Sequence, residues 1–427
     1  VTMYLPLIAA GILLAFRDKY LLGGILFAFG MGIALRANHH QMLYYFGLTV
    51  PIFGIARLVT DLKAGRLLHF GKAIAVLVIG LVLAVGSGAS NLLTTMEYKA
   101  ASMRGGQVLE TPLKAPSGAD APVNGLEWDY AMQWSNGLKD LVATYAPYAA
   151  GGGGAVEVAS SSAFGKAMRQ AGFQIRSNIN APAYHGSLPF TEGPAYLGAV
   201  AWALFLFGLF TARRNIAIWL GGGTLLIFLI SMGKNLEGFN HFLYDTLPLL
   251  NAFRAPSSAL TISTMMMVVL GVIGVHDWLK TREKDEELKT DKARKQLMYA
   301  GITAAALGVF VAVLLPSFLS FVNPNDSATL QRFTGGQLQN AAPVLDGLEA
   351  TRAALYSSDA WRSFLFVGLT FGVLFLLFRK IASPLIGGLA LAALVAADFS
   401  GINGRYVAKE DWSKPPRRAA EFQPTPV

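Results

Sequence analysis

Ten apolar runs divide this chain, at about residues 4–16, 21–35, 43–59, 73–93, 195–210, 216–232, 259–279, 297–322, 363–378 and 381–397. Between the fourth and the fifth lies a polar, Gly-rich stretch, 91–197, and nearly everything else is short connector. The runs are continuous rather than alternating and approach the length that crosses a bilayer. Helices, which satisfy every backbone group internally, are the structure they predict. The pattern predicts an all-α polytopic membrane protein of about ten transmembrane helices with one large extracytoplasmic insert. Its divisions are N-terminal helices at 1–95, the insert at 96–193, C-terminal helices at 194–398 with outer loops 233–258 and 323–361, and the start of an extracytoplasmic tail at 399–427. The first run is already under way at Tyr4, with no basic segment before it and no small-residue cleavage site, so it is not a signal peptide. A fragment of a longer protein that lacks its first spans is expected.

Composition excludes a soluble globule. Of 427 residues, 53% are hydrophobic and only 14% charged, and the mean hydropathy is +0.45. The net charge of +9 raises the question of a nucleic-acid partner. Its distribution answers it. Arg17-Asp18-Lys19, the group Arg57, Lys63, Arg66 and Lys72, the pair Arg213-Arg214, the segment 280–295, and Arg379-Lys380 fall at every second connector. All five can therefore be cytoplasmic at once, as the positive-inside bias requires, and no nucleic acid is needed to explain them. Connectors 36–41, 233–258 and 323–361 then face outward with the insert and the tail. The mixed charges of 281–296 predict a solvated helical linker. Cysteine is absent, which excludes disulfides and thiolate metal sites.

Within the insert, 111–124 is rich in Pro, Ala, Gly and Asp and reads as surface loop, and Gly151-Gly152-Gly153-Gly154 reads as a flexible or tight-turning stretch. Segment 126–148 carries Trp128, Tyr130, Met132, Trp134, Tyr145 and Tyr148. An amphipathic segment lying on the outer membrane surface is expected there, its aromatics serving as interfacial anchors or as a platform for a sugar.

Four outward constellations carry candidate chemistry. Arg36-Ala37-Asn38-His39-His40-Gln41 packs a cation, two imidazoles and two amides into one short turn, suited to a phosphate or a proton transfer, or to interfacial anchoring. Glu97 with Arg104, and Glu192 with His185 nearby, flank the insert as a base or ion ligand, or as salt bridges that steady it. Glu127-Trp128-Asp129 places two acids at a spacing that metal-dependent sugar transferases use and that chance also produces. In the loop 234–254, Arg254 stands near Pro256 where it could meet a lipid-linked phosphate, while 239–250 reads as an interfacial helix. Asp398, followed by Arg405-Tyr406, is a further ionisable group near lipid.

Taken together, these pieces resemble a known family. Ala37-Asn38-His39-His40-Gln41-Met42 with Tyr44-Tyr45, Glu97-Tyr98 with Ser102-Met103-Arg104-Gly105, Gly125-Leu126 with Asp129-Tyr130-Ala131 and Trp134-Ser135, Pro147 with Gly151-Gly152, Pro189-Phe190-Thr191 with Gly193-Pro194 and Tyr196, Phe253-Arg254-Ala255-Pro256-Ser257, and Asp398 with Arg405-Tyr406 occur in the order seen in YfhO-like bacterial membrane proteins, especially those of the Bacteroidetes type. The resemblance spans nearly the whole chain. It implies a GT-C class glycosyltransferase of the bacterial cytoplasmic (inner) membrane. Such an enzyme takes a sugar from a polyprenyl-phosphate-linked donor to an envelope glycan or protein acceptor on the outer face. Gram-positive relatives are associated with sugar decoration of teichoic acids. On this reading Arg36, His39, His40, Arg104, His185, Arg254 and Asp398 bind substrate. Glu97 and Glu192 are candidate bases, and Glu127 and Asp129 are candidate ligands for Mg or Mn if the reaction uses a metal. The resemblance also implies that the principal catalytic acid lies in a first outer loop upstream of residue 1. The chain departs from the family at Asn136-Gly137-Leu138-Lys139-Asp140, where a Gly and a carboxylate usually follow the Trp-Ser pair. Two other classes stay open. One is a non-catalytic subunit that docks an envelope or secretion complex through the insert. The other is a transporter or flippase, which the scarcity of charge within the runs disfavours.

Overall fold

Short polar stops separate the opening helices α1 (Leu5–Ala15), α2 (Tyr20–Arg36), α3 (His40–Lys63), α4 (Leu67–Ser87) and α5 (Ala89–Ala100). Three of those stops turn through a left-handed residue, Asp18 (φ 61), Asn38 (φ 53) and Gly65 (φ 66). Asp, Asn and Gly are the residues that adopt this conformation at least cost, so each connector reverses the chain within a few residues. The computed structural model describes residues 2–100, 125–283 and 287–407.

After the undescribed stretch come α6 (Trp128–Ala131), α7 (Leu138–Val142), strand β1 (Val156–Ala159), α8 (Ala163–Gln170) and strand β2 (Asn178–Ala181). The two strands pair antiparallel with Val156 opposite Ala181, a small departure from the all-α expectation. The chain then returns to helix in α9 (Ala199–Thr211), α10 (Arg214–Ser231), α11 (Glu237–Thr246), α12 (Leu260–Glu283), α13 (Glu287–Val309), α14 (Asp326–Phe333), α15 (Ala342–Phe378) and α16 (Pro384–Asn403).

Among the described residues seven helical stretches are long and apolar enough to cross a membrane: α3, α4, α10, Pro256–Glu283, Thr290–Ser317, α15 and α16. Thr2–Ala15, Tyr20–Arg36 and Ala199–Thr211 are apolar but shorter. Large side chains such as Val82, Leu83, Ile386 and Leu389 stand exposed on these helices. Lipid covers such a surface without cost, whereas water does not. The protein is therefore a predominantly helical, multi-pass membrane protein.

Short α9 is the hub of the second half, packed against α12, α13, α15 and α16. It meets α12 backbone to backbone, since a Cβ placed on Gly274 would lie 2.5 Å from the Cα of Gly208. Apolar packing drives no association inside lipid, and close approach at small residues takes its place. Helix α13 ends in a π-helical turn, Phe310–Leu314, ahead of Pro316. The hydroxyl of Tyr356 donates to the freed carbonyl of Val311 at 2.5 Å.

The connectors sort to two ends. At one end, Arg66 pairs with Asp18 (3.2 Å), Thr60 bonds Asn215 (3.2 Å), Arg213 approaches Asp277 (3.7 Å), Gln296 donates to Phe210 O (2.8 Å) and Arg282 to Leu377 O. All five basic connectors thus share one end of the bundle, as the alternation of charge requires. The opposite end carries 36–41, the body 125–198, 233–258 and the C-terminal turn of α16.

Three expectations need correction. Segment 126–148 is no surface-lying amphipathic helix. The Asn136-Gly137 break divides it, and Ala131, Met132, Ser135, Asn136, Tyr145 and Tyr148 are buried against α15 and the 231–258 loop. Helix α15 begins at Ala342, so much of the expected outer loop 323–361 is helical, with its first turns packed on α8. In the 281–296 linker, Arg282 is buried rather than solvated. The Gly151-Gly152 turn is tight, as expected: both residues have positive φ (88° and 78°), and a Cβ on Gly151 would strike Ala183 O.

Candidate functional site

At the insert end most of the buried ionisable groups are committed to the framework. Asp398 is fully buried, and its Oδ1 accepts from the Tyr196 hydroxyl at 2.6 Å and faces Arg362 at 3.0 Å. Its Oδ2 takes the Val200 amide at 3.3 Å, so this carboxylate anchors the N-terminus of α9, whose first amides have no partner within the helix. Burial, then the neighbouring carboxylate, pushes the Tyr196 hydroxyl well above its ordinary range. Asp359 receives Arg405 through two parallel bonds, 2.9 and 2.8 Å, and also the Tyr148 amide at 3.1 Å. The Arg405 guanidinium lies 4.8 Å above the Tyr148 ring. Asp140 accepts from the amides of Gly137 (2.8 Å) and Ser187 (2.9 Å) and from the Tyr184 hydroxyl (2.8 Å).

The strongest of these struts is one that sequence reasoning missed. Arg352, 1% exposed, pairs with Asp326 through two bonds of 2.7 Å, and its remaining donors reach the carbonyls of Ala183, Phe321 and Pro182. Five donors meet acceptors in the fork geometry that guanidinium alone supplies. His185 sits beside this pair, 1% exposed, with Nδ1 against Ala183 O at 3.1 Å. Burial first, and the nearby cations of Arg352 and Lys139 next, lower its pKa to about 3. His185 and Asp398 therefore hold the framework, and neither is open to a substrate as the sequence suggested. No sequence signal marks Arg352, which lies in a stretch that read as loop.

What remains accessible gathers at a rim. Gln41 donates its amide to the main-chain carbonyl of Arg254 at 2.6 Å, and Tyr44 donates to Pro248 O at 2.7 Å. The turn holding Arg36, His39 and His40 is thereby fastened to the 248–254 loop. The exposed Arg254 guanidinium reaches the Tyr130 hydroxyl at 2.6 Å and lies 5.6 Å from the ring centroid. Backbone bonds from Ala255 to Ala131 (3.0 Å) and from Ser257 to Trp134 (3.1 Å) hold the two segments together. Ala255 adopts φ 55 between Arg254 and Pro256, a strained position that those bonds over-determine. The Trp134 ring then meets Phe190 at 4.7 Å, which brings the flank bearing exposed Glu192 to the same rim. Two constellations distant in sequence, with a third through Trp134, are thus one surface. His40 Nε2 is buried there without a partner among the described residues.

The other candidates are placed differently. Glu97 is exposed on α5, and Arg104 lies outside the described residues. Glu127 and Asp129 are exposed at the start of α6. Among the described residues no three His, Asp or Glu side chains stand together as a metal site would need. Two carboxylates fall short of an oxygen cage. A small cavity of about 20 Å³ lies beneath this rim beside Asp140 and Tyr184. The two large grooves, about 810 and 1300 Å³, lie at the basic end. No family model matches the chain, and no curated protein or solved structure is significantly similar to it.

Proposed function

We propose that this chain is a GT-C class glycosyltransferase, similar to the YfhO-like proteins. In this reading it has about ten spans, the three shorter apolar helices included. It sits in a bacterial cytoplasmic membrane with its 96–193 insert outside. The donor is a sugar on a polyprenyl phosphate, and the acceptor is a hydroxyl of an envelope glycan or protein. The observation that carries the reading is the Gln41–Arg254–Tyr130 arrangement, which presents a fixed, solvent-exposed guanidinium at the mouth of the bundle.

In the reaction, the acceptor oxygen attacks the anomeric carbon and the bond from that carbon to the phosphate oxygen breaks. The phosphate leaves with the electron pair, and the acceptor proton passes to a carboxylate. Arg254, with Arg36, stabilises charge on the leaving phosphate, and Tyr130 fixes the guanidinium. Glu192, on the flank joined to Trp134, is the base this geometry favours within the described residues. His39 and His40 bound the donor phosphate. The committed struts Asp398, Asp359, Asp326 and Asp140 take no part beyond holding the rim.

The test is turnover of a polyprenyl-phosphate-linked sugar by the protein in liposomes, read as release of polyprenyl phosphate. Release that depends on the protein supports the proposal. Folded protein that turns over none of a panel of hexose, aminosugar and pentose donors overturns it. The second reading, a docking subunit, draws on the exposed Phe190 and Leu138 and on how many ionisable groups of the insert end serve only as struts. Stoichiometric recovery in a large assembly, with no turnover, would favour it.

A further inference from the structure

The two grooves at the basic end are not used by the proposed reaction, and their chemistry is specific. The first, of about 810 Å³, opens between α1, α3 and the start of α10, walled by Leu13, Phe16, Ile52, Phe53, Ile216 and Ile218. Arg17, Arg57, Lys63, Arg213 and Arg214 also line it, and no Asp or Glu does. Two of these cations are neutralised. Arg57 bonds Asp61 at 2.9 and 3.1 Å, and Arg213 faces Asp277 at 3.7 Å. Arg17, Lys63 and Arg214 are exposed and have no side-chain partner among the described residues. The Nε of Arg57 is buried and likewise without an acceptor there. Positive-inside topology accounts for the sign of these charges, but not for three unpaired ones ringing an apolar trough.

The second groove, of about 1300 Å³, shares Arg213, Arg214 and Ile218 with the first, but Asp277, Lys280, Glu283 and Lys292 line it beside Leu209 and Phe210. The dibasic pair therefore stands on the divide between an apolar trough that no acid lines and a groove of mixed charge. We propose that the first trough binds one acidic diacyl phospholipid at this divide. Its phosphate is held by Arg214, Arg17 and Lys63, and its acyl chains lie along the apolar wall between α1, α3 and α10. A soluble anion would leave that wall uncovered. A zwitterionic lipid carries no net charge to answer the three cations.

The experiment uses the full chain, delipidated in detergent, with phosphatidylglycerol, phosphatidylcholine, a polyprenyl phosphate and inorganic phosphate as probes. Binding is read by native mass spectrometry and by the shift in melting temperature. Phosphatidylglycerol is expected to bind one per chain and to survive competition from the other three. The triple variant Arg17→Gln, Lys63→Gln, Arg214→Gln should bind it about 100-fold more weakly, at about 1 kcal/mol per cation. A charge-matched control, Lys19→Gln, Lys72→Gln, Arg379→Gln, removes exposed cations outside the two grooves and should stay within about twofold. If the triple variant does not fold, Arg214→Gln alone should weaken binding about fivefold. Equal loss in the control, equal binding of phosphatidylcholine, preference for the polyprenyl phosphate, or displacement by millimolar inorganic phosphate would each overturn the proposal. None of these readouts depends on sugar transfer.

Discussion

Gln41 and Arg254 stand 213 residues apart and are joined by a 2.6 Å bond from the glutamine amide to the arginine's own carbonyl. The bond fixes the main chain of Arg254 without engaging its guanidinium, which faces outward against Tyr130. Arg254→Ala should therefore lower turnover of a polyprenyl-phosphate donor about 100-fold, the usual loss when a positioned donor to a developing charge is removed. Its melting temperature should stay unchanged, because the side chain is exposed. Arg254→Lys should recover part of the rate, since a point charge replaces the fork. Gln41→Leu loosens the loop and should cost about tenfold through misplacement alone. Full activity in Arg254→Ala would remove the rim from the mechanism.

Arg352 and Asp326 make the opposite kind of pair, buried and saturated. Removing one partner strands a charge in a low-dielectric interior, at a cost of about 3–5 kcal/mol. Arg352→Met should lower the melting temperature sharply in detergent. The double variant Arg352→Met, Asp326→Leu should recover much of the loss, because it buries no lone charge. A double variant no more stable than the single one would mean that the carbonyl contacts, rather than the ion pair, carry the strength.

The apolar runs announced the helices because a bilayer admits almost nothing else, and the charge alternation sorted the connectors correctly to two ends. Hydropathy says little about what happens in water beyond the bilayer. Helix α15 runs from Ala342 because α8 packs against it and Asp326, at the start of α14, holds its Arg352, a tertiary effect invisible in composition. Tyr145 and Tyr148 looked like interfacial anchors and are buried, since aromatic content does not say which way a short segment faces. Among the site residues, Arg254 and the 36–41 turn were legible as separate clusters, but only the fold joins them. Asp398 and His185 looked reactive for the same reason that makes them useful as struts: each is an ionisable group placed where water is scarce.

His185 gives the insert body a defined response to acid. In the folded chain its pKa is lowered to about 3, chiefly by burial, against about 6.5 for an exposed imidazole. Between those values the unfolded chain binds a proton that the folded chain refuses. Stability should therefore fall as pH drops through 6.5 toward 3, by about 1.4 kcal/mol per pH unit, and this contribution should be flat above 6.5. His185→Gln removes the titration, so the wild-type protein should lose about 2 kcal/mol more than the variant between pH 7 and pH 5. Parallel melting curves for the two across that range would show that His185 is protonated in the fold.

Orientation can be tested directly because the chain contains no cysteine, so a single introduced thiol reports without background. Glu192 is exposed on the rim, and Lys72 is exposed near the opposite, basic end. The positive-inside bias predicts that the basic end faces the cytosol. In intact spheroplasts, Glu192→Cys should react with a membrane-impermeant maleimide, and Lys72→Cys should react only after permeabilisation. Labelling in the reverse order would turn the bundle over and put the rim beside cytosolic nucleotide sugars rather than envelope acceptors. It would remove the outward-facing transferase reading altogether, while leaving the acidic-lipid groove to be tested on the other leaflet.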